Sequence, residues 1–159
     1  HIDPSAVTYM MQKRGMPPPG MSAYLPKQSG APGVAGISSD MRDNENADNE
    51  GDKMAHPAPQ MYNSRLKKYI GAYAAAMNGV DIIVWTAGVG ENQEGVSWDS
   101  CADMEYRGVK MDRERNHCRG VEQVLSADDS KVKVVMIPTD EEIVIARDTL
   151  ALVTGKELD

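Results

Sequence analysis

Residues 81–96 read DIIVWTAGVGENQEGV. An apolar run ends in two glycines one residue apart, Gly88 and Gly90, followed at once by the acid Glu91 and the amide Asn92. Glycines just past a buried strand let the backbone approach a ligand closely, and free amides there bind phosphate or adenosine. Three readings compete for this loop. A dinucleotide-binding fingerprint wants G-x-G-x-x-G opening a helix, whereas Glu91, Asn92, Gln93 and Glu94 all precede the next glycine, Gly95. A Walker-type phosphate loop needs Gly-Lys-Ser/Thr, which is absent here. The third reading is a plain strand-to-helix turn, and on spacing alone it stands first.

The flanking sequence sets the fold class. Upstream, YNSRLKKYIGAYAAAMNG repeats Leu66, Tyr69, Ile70, Tyr73, Ala74 and Met77 at helical spacing, with Arg65, Lys67 and Lys68 largely off that stripe. Asn78-Gly79 closes that helix. The run VDIIVW is short, continuous and apolar, so a strand buried on both faces is expected. A second such run, KVKVVMIPT from Lys131 to Thr139, leads directly into DEEIVIARDTLALV, a second apolar-striped helix. Between the strands lies a mixed polar stretch with room for a short helix and an exposed hairpin or loop. Strand–loop–helix units of this kind indicate an α/β layer architecture. No internal repeat is visible.

The first fifty residues are harder to read. IDPSAVTYMMQKRG reads as a short helix with Asp3 as N-cap, Pro4 at the first helical position and Gly15 as the stop. The proline- and glycine-rich MPPPGMSAYLPKQSGAPGVAG is expected to be loop or broken helix. ISSDMRDNENADNEGDK is polar and acidic, and by composition it is a solvated linker. Residues 15–60 are therefore expected to form a loop-rich region.

At 159 residues the chain is long enough for one domain with a core, or for part of a larger one. A formal net charge of −7 argues against a general nucleic-acid binder, because neutralising phosphates needs a basic surface. A few local cations would still suffice to hold an anionic substrate. No apolar run is long enough to cross a bilayer and no signal-peptide pattern opens the chain, so no membrane partner is expected. Cys101 and Cys118 make neither a disulfide framework nor a metal site, and free thiols fit a cytoplasmic location. The first residue is His1 and not methionine, as in a fragment or a processed product. His56 in AHPAPQ and His117 in RNHCRG do not read as catalytic bases.

RLKKYIGAYAAAMNGVDIIVWTAGVGEN, followed by DSKVKVVMIPTDEEIVIARDTLALV, closely resembles the C-terminal part of the acetate kinase family. IDPSAVTYMMQKRG, KQSGAPGVAGISSDMRD and the acidic segment between fit the same family in order, so the resemblance spans nearly the whole chain. It implies a ribonuclease H-like domain of the sugar kinase and actin superfamily, incomplete at its N-terminal side. It implies transfer of a phosphoryl group between ATP and acetate with Mg²⁺, giving ADP and acetyl phosphate. The family's nucleotide loop corresponds to Gly88, Val89, Gly90, Glu91 and Asn92, and its Asp-x-Arg segment to Asp40, Met41 and Arg42. The first glutamate of its PT-N-E-E motif corresponds to Glu141, which the resemblance places at Mg²⁺. A homodimer of the full-length form is also implied, since family dimers associate through this domain.

Thr139 followed by Glu142 three residues later reads as a capping box, so a helix is expected to start there with Glu142 structurally occupied. Glu141 has no capping role in this reading, and a carboxylate suits the Mg²⁺ that the resemblance implies there, bound directly or through water. The sequence departs from the family twice. Asp140 stands where asparagine is typical, adding charge beside the metal carboxylate. Pro57 and Pro59 interrupt a stretch that is usually one helix. The residues that bind acetate and stabilise the transferring phosphoryl belong, in the family, to sequence that would precede His1. Two alternatives stand beside an acetate kinase portion. One is a non-catalytic nucleotide-binding or dimerisation module; the other is part of another short-chain acyl kinase.

Overall fold

Asp3 opens the first helix through its carboxylate, which accepts the Ser5 backbone N–H at 2.8 Å and the Ser5 hydroxyl at 2.6 Å. In the computed structural model residues 2–155 are described. They fall into two units, His1–Ala72 and Tyr73–Asp159.

In the first unit the helices are α1 (Pro4–Arg14), α2 (Pro18–Gln28), α3 (Ala31–Ala35), α4 (Met41–Asn49) and the start of α5 (Pro57–Ala76). Gly15 ends α1 in the left-handed region, as the sequence reading expects. The proline-rich stretch is a broken helix and not a loop. Pro17 caps α2 and Pro18 occupies its first position, where the missing N–H has no helical partner to lose. The break comes at Ser29-Gly30, between α2 and α3.

The acidic stretch is not a linker. Asp40 accepts the Arg42 backbone N–H at 2.9 Å, and that cap starts α4. Asn44, fully buried, donates to the carbonyls of Ser38 at 2.9 Å and Asp40 at 2.7 Å, pinning the chain entering the helix. The expectation of a loop-rich 15–60 is corrected accordingly: composition undervalued capping. Pro57 and Pro59 stand in the first turn of α5, so they begin that helix and do not break it.

The second unit holds β1 (Ile82–Trp85), α6 (Ala87–Asn92), α7 (Glu94–Cys101), a 3₁₀ turn (Glu105–Arg107), α8 (Arg113–Asn116), β2 (Gln123–Val124), β3 (Lys133–Met136) and α9 (Glu141–Thr154). The sheet order is β1-β3-β2. β1 pairs parallel with β3, Ile83 opposite Val134 and Trp85 opposite Met136, while β2 pairs antiparallel. Parallel pairing brings the C-terminal ends of β1 and β3 side by side, so the turn into α6 and the turn into α9 leave the sheet at the same end.

One face of this sheet is covered. Ile83, Trp85, Val134 and Met136 pack with Val96, Cys101, Met104, Val109 and Leu125 in the core. Ile82 and Val84 point the other way and are 57% and 50% exposed, so the strand is not buried on both faces. A period-two backbone turns alternate side chains to opposite faces, and no described element covers this one. The same holds for α9, which forms where its apolar stripe predicts but buries none of its residues.

Candidate functional site

The loop after β1 turns sharply. Thr86 is extended, and Ala87 then takes a positive φ of 62°, a left-handed conformation that costs a residue with a β-carbon. α6 follows at once. Gly90 is tucked against the strand, where an added β-carbon would lie 3.4 Å from the Trp85 carbonyl carbon. Gly88 faces open space, with nothing within 4 Å of such a carbon. The loop thus has one glycine packed against the fold and one whose backbone a ligand can approach.

Its polar side chains are engaged within the protein. Asn92 donates through Nδ2 to the Gly88 carbonyl at 2.8 Å, closing α6 on itself. Glu91 reaches further: its Oε1 accepts the Thr139 backbone N–H at 2.8 Å and the Thr139 hydroxyl at 2.9 Å. These two bonds, the backbone one first, hold the Glu91 carboxyl below the usual range, so it is an anion at neutral pH.

Thr139 is consequently not the cap of α9. Asp140 takes that place, its Oδ1 accepting the Ile143 N–H at 2.9 Å. The expected Thr139–Glu142 capping box is corrected by one position, because the Thr139 hydroxyl is drawn to the anionic Glu91. Glu142 loses the structural role assigned to it. The residue at the family's asparagine position caps the helix, a task asparagine performs equally well.

Glu141 sits exposed in the first turn of α9, with no hydrogen-bond or ion-pair partner for its carboxylate among the described residues. No group of three or more His, Cys, Asp or Glu side chains there is arranged to hold a metal ion. That excludes an all-protein cage among these residues; magnesium keeps several waters and needs only one or two carboxylates plus phosphate oxygens. Glu141 presents one exposed carboxylate of that kind.

Asp40, Met41 and Arg42 open α4 in the first unit. Arg42 folds back on the cap, its Nη2 lying 2.5 Å from Asp40 Oδ2, while its side chain stays 73% exposed. This hydrogen-bonded guanidinium, with the Arg42 N–H, lowers the Asp40 carboxyl to about 2. Of the sequence-predicted residues, the structure links loop 88–92 with the start of α9. Asp40–Arg42 is formed as a motif within its own unit.

Both described histidines are in local pairs. His56 Nδ1 lies 2.8 Å from Asp48 and its Nε2 2.7 Å from Gln60, bracing the turn between α4 and α5. His117 Nδ1 lies 2.5 Å from Glu94. Cys101 is buried and Cys118 half-buried, and burial, with Glu94 nearby, pushes the Cys118 thiol up. The strained Ala87 and the Glu91–Thr139 pair were missed by sequence reasoning. No residue-level signal marks either, since alanine is not a left-handed residue type and the pair joins positions 48 apart.

Solved structures resemble this arrangement closely. Porphyromonas gingivalis acetate kinase superposes with a TM-score of 0.89 at 46% identity, covering 96% of this chain and 39% of that one. Acetate kinase from Entamoeba histolytica gives 0.86 at 31% identity over 94% of this chain and 40% of its own. A propionate kinase from Francisella tularensis gives 0.81 at 29% identity over 92% and 37%. The fold is therefore that of the sugar kinase and actin class, and the small mixed sheet is a portion of such a domain.

Among curated proteins, acetate kinase from Phocaeicola vulgatus is 55% identical over 151 residues, 95% of this chain and 38% of its own length. That of Clostridioides difficile is 49% identical over 152 residues, 96% of this chain and 38% of its own. Residues 1–147 match the acetokinase family model, and the chain belongs to that family of kinases. It spans about 38% of the length of these curated relatives.

Proposed function

We propose that this chain supplies the nucleotide pocket and the magnesium-associated glutamate of an acetate kinase, which moves a phosphoryl group between ATP and acetate. The observation that carries the reading is the Glu91–Thr139 pair. It couples a glycine loop with open space at Gly88 to a helix start bearing an unpartnered carboxylate, Glu141. In this reading Gly88, Val89, Gly90 and Asn92 line the nucleotide through their backbone, while a nucleotide-binding role for Asp40, Met41 and Arg42 rests on the family resemblance alone. Bound Mg²⁺ would neutralise phosphate charge, and Glu141 would hold it directly or through water.

Phosphoryl transfer also needs cations on the transferring group and a positioned acceptor. We assign those to the remaining length that the relatives have beyond the matched segment. The chain alone is then expected to make no acetyl phosphate. Assembly as a homodimer and a cytoplasmic location belong to the same proposal; among the described residues no helix is long and apolar enough to cross a membrane.

A chimera tests this. The matching segment of the Porphyromonas gingivalis enzyme is replaced by this chain, and acetyl phosphate formation from ATP and acetate is measured. An active chimera that loses at least about ten-fold in rate on Glu141→Ala supports the role, since a metal carboxylate stabilises charge in the transition state. A folded but inactive chimera, or one indifferent to Glu141→Ala, contradicts it.

A further inference from the structure

Glu91 lies inside the glycine loop, yet its carboxylate faces Thr139 and not the open space at Gly88. The residues it joins are 48 apart in sequence, so the contact is tertiary. Thr139 is followed by the cap Asp140 and then by Glu141. Just past β3, the Ile137 N–H donates to the Trp85 carbonyl at 2.9 Å. Beyond that point α9 buries none of its own residues, so packing does not fix where the helix begins. The bonds from Thr139 to Glu91 supply that constraint at the start of the helix.

We infer that Glu91 is a positioning residue: by holding Thr139 it sets the place of Glu141 relative to loop 88–92, so that a nucleotide at the loop and Mg²⁺ at Glu141 meet in register. This rests on the nucleotide and magnesium reading above, and it reassigns Glu91 from nucleotide contact to linker between the two sites. A carboxylate suits the role because one oxygen accepts both Thr139 donors and its charge strengthens both bonds. Threonine suits it because backbone and side chain donate together, which fixes the peptide as well as the side chain.

Two measurements on the whole chain separate the link from its use. The first is amide hydrogen exchange in wild type and Glu91→Ala. The Thr139 and Ile143 amides are expected to exchange at least about ten-fold faster in the variant while Val134 in the sheet is unchanged, as in local opening. Equal rates at Thr139 overturn the link. The second is calorimetric titration with ADP, with and without MgCl₂. Glu91→Ala is expected to keep magnesium-free ADP affinity within about two-fold and to lose most of the tightening that Mg²⁺ gives, because the carboxylate site is displaced. Thr139→Ser, which retains both donors, is expected to behave as wild type. If magnesium-free affinity falls as far as the magnesium-dependent one, Glu91 touches the nucleotide itself and the positioning role is overturned. If folded wild type binds no ADP, the nucleotide reading fails and the positioning role with it, whereas the exchange result still reports whether the link exists.

Discussion

The Asp140 carboxylate accepts the Ile143 backbone N–H at 2.9 Å, making Asp140, and not its neighbour Thr139, the cap of α9. An N-terminal helix turn has N–H groups without helical partners, and a side-chain oxygen satisfies one of them. Asp140→Ala is expected to cost about 1 kcal/mol, and Asp140→Asn only a few tenths, because asparagine caps as well as aspartate. Thr139→Ala keeps the cap but loses the hydroxyl bond to Glu91. Denaturant midpoints of the three variants check this order. An Asp140→Ala midpoint equal to that of wild type would mean that Asp140 is not the cap.

Much of the fold was legible. The caps at Asp3 and Gly15, the α5 stripe, both strand runs and the strand–loop–helix order follow from local periodicity and capping chemistry, which act within a few residues. Burial was less legible. VDIIVW has the composition of a strand covered twice, but which neighbours cover it is a property of the whole assembly and not of six residues. The acidic α4 was missed because its start depends on one carboxylate, Asp40, which charge composition averages away. In the site, the motif residues were visible by resemblance, while the division of labour among Thr139, Asp140 and Glu91 needed the tertiary contact.

Ala87 carries backbone strain at the mouth of the loop, with φ at 62°. Glycine has no β-carbon to clash there, although it has more freedom to lose on folding. Ala87→Gly is expected to stabilise the protein by about 0–1.6 kcal/mol net, from a left-handed penalty of about 1–2 less an entropy cost of about 0.4–1. Equilibrium unfolding in urea measures it. A destabilised variant would mean that the left-handed turn is absent in solution.

Gly108 is required for two reasons at once. Its φ is +86°, and an added β-carbon would meet the Lys131 β-carbon at 2.9 Å. Its carbonyl also accepts the N–H groups of Lys131 and Val132 at 3.0 and 3.1 Å, so the backbone cannot easily retreat. Gly108→Ala is expected to destabilise by about 1–3 kcal/mol, the range for overpacking and left-handed strain. Gly88→Ala, with open space around it and no positive φ, is expected to leave the unfolding midpoint nearly unchanged. Equal midpoints for the two variants would refute this assignment.

The Asp40 carboxyl is lowered from 3.8 to about 2, chiefly by the Arg42 side-chain hydrogen bond. A folded-state value below the unfolded one stabilises above the unfolded value and fades as pH falls through the folded one. The start of α4 is therefore expected to hold at neutral pH and loosen between about pH 4 and 2. Carbon-detected NMR titration of Asp40 should give a midpoint near 2 that rises toward 3.8 in Arg42→Ala. A wild-type midpoint already at 3.8 would mean that the pair does not persist in solution.

Calorimetric titration of the folded 159-residue chain with ADP reads whether this chain holds a nucleotide. Weak, saturable binding is expected, reduced by Gly88→Val, which places a side chain into the open approach to the loop. No heat of binding from folded wild type, or binding indifferent to Gly88→Val, would contradict this.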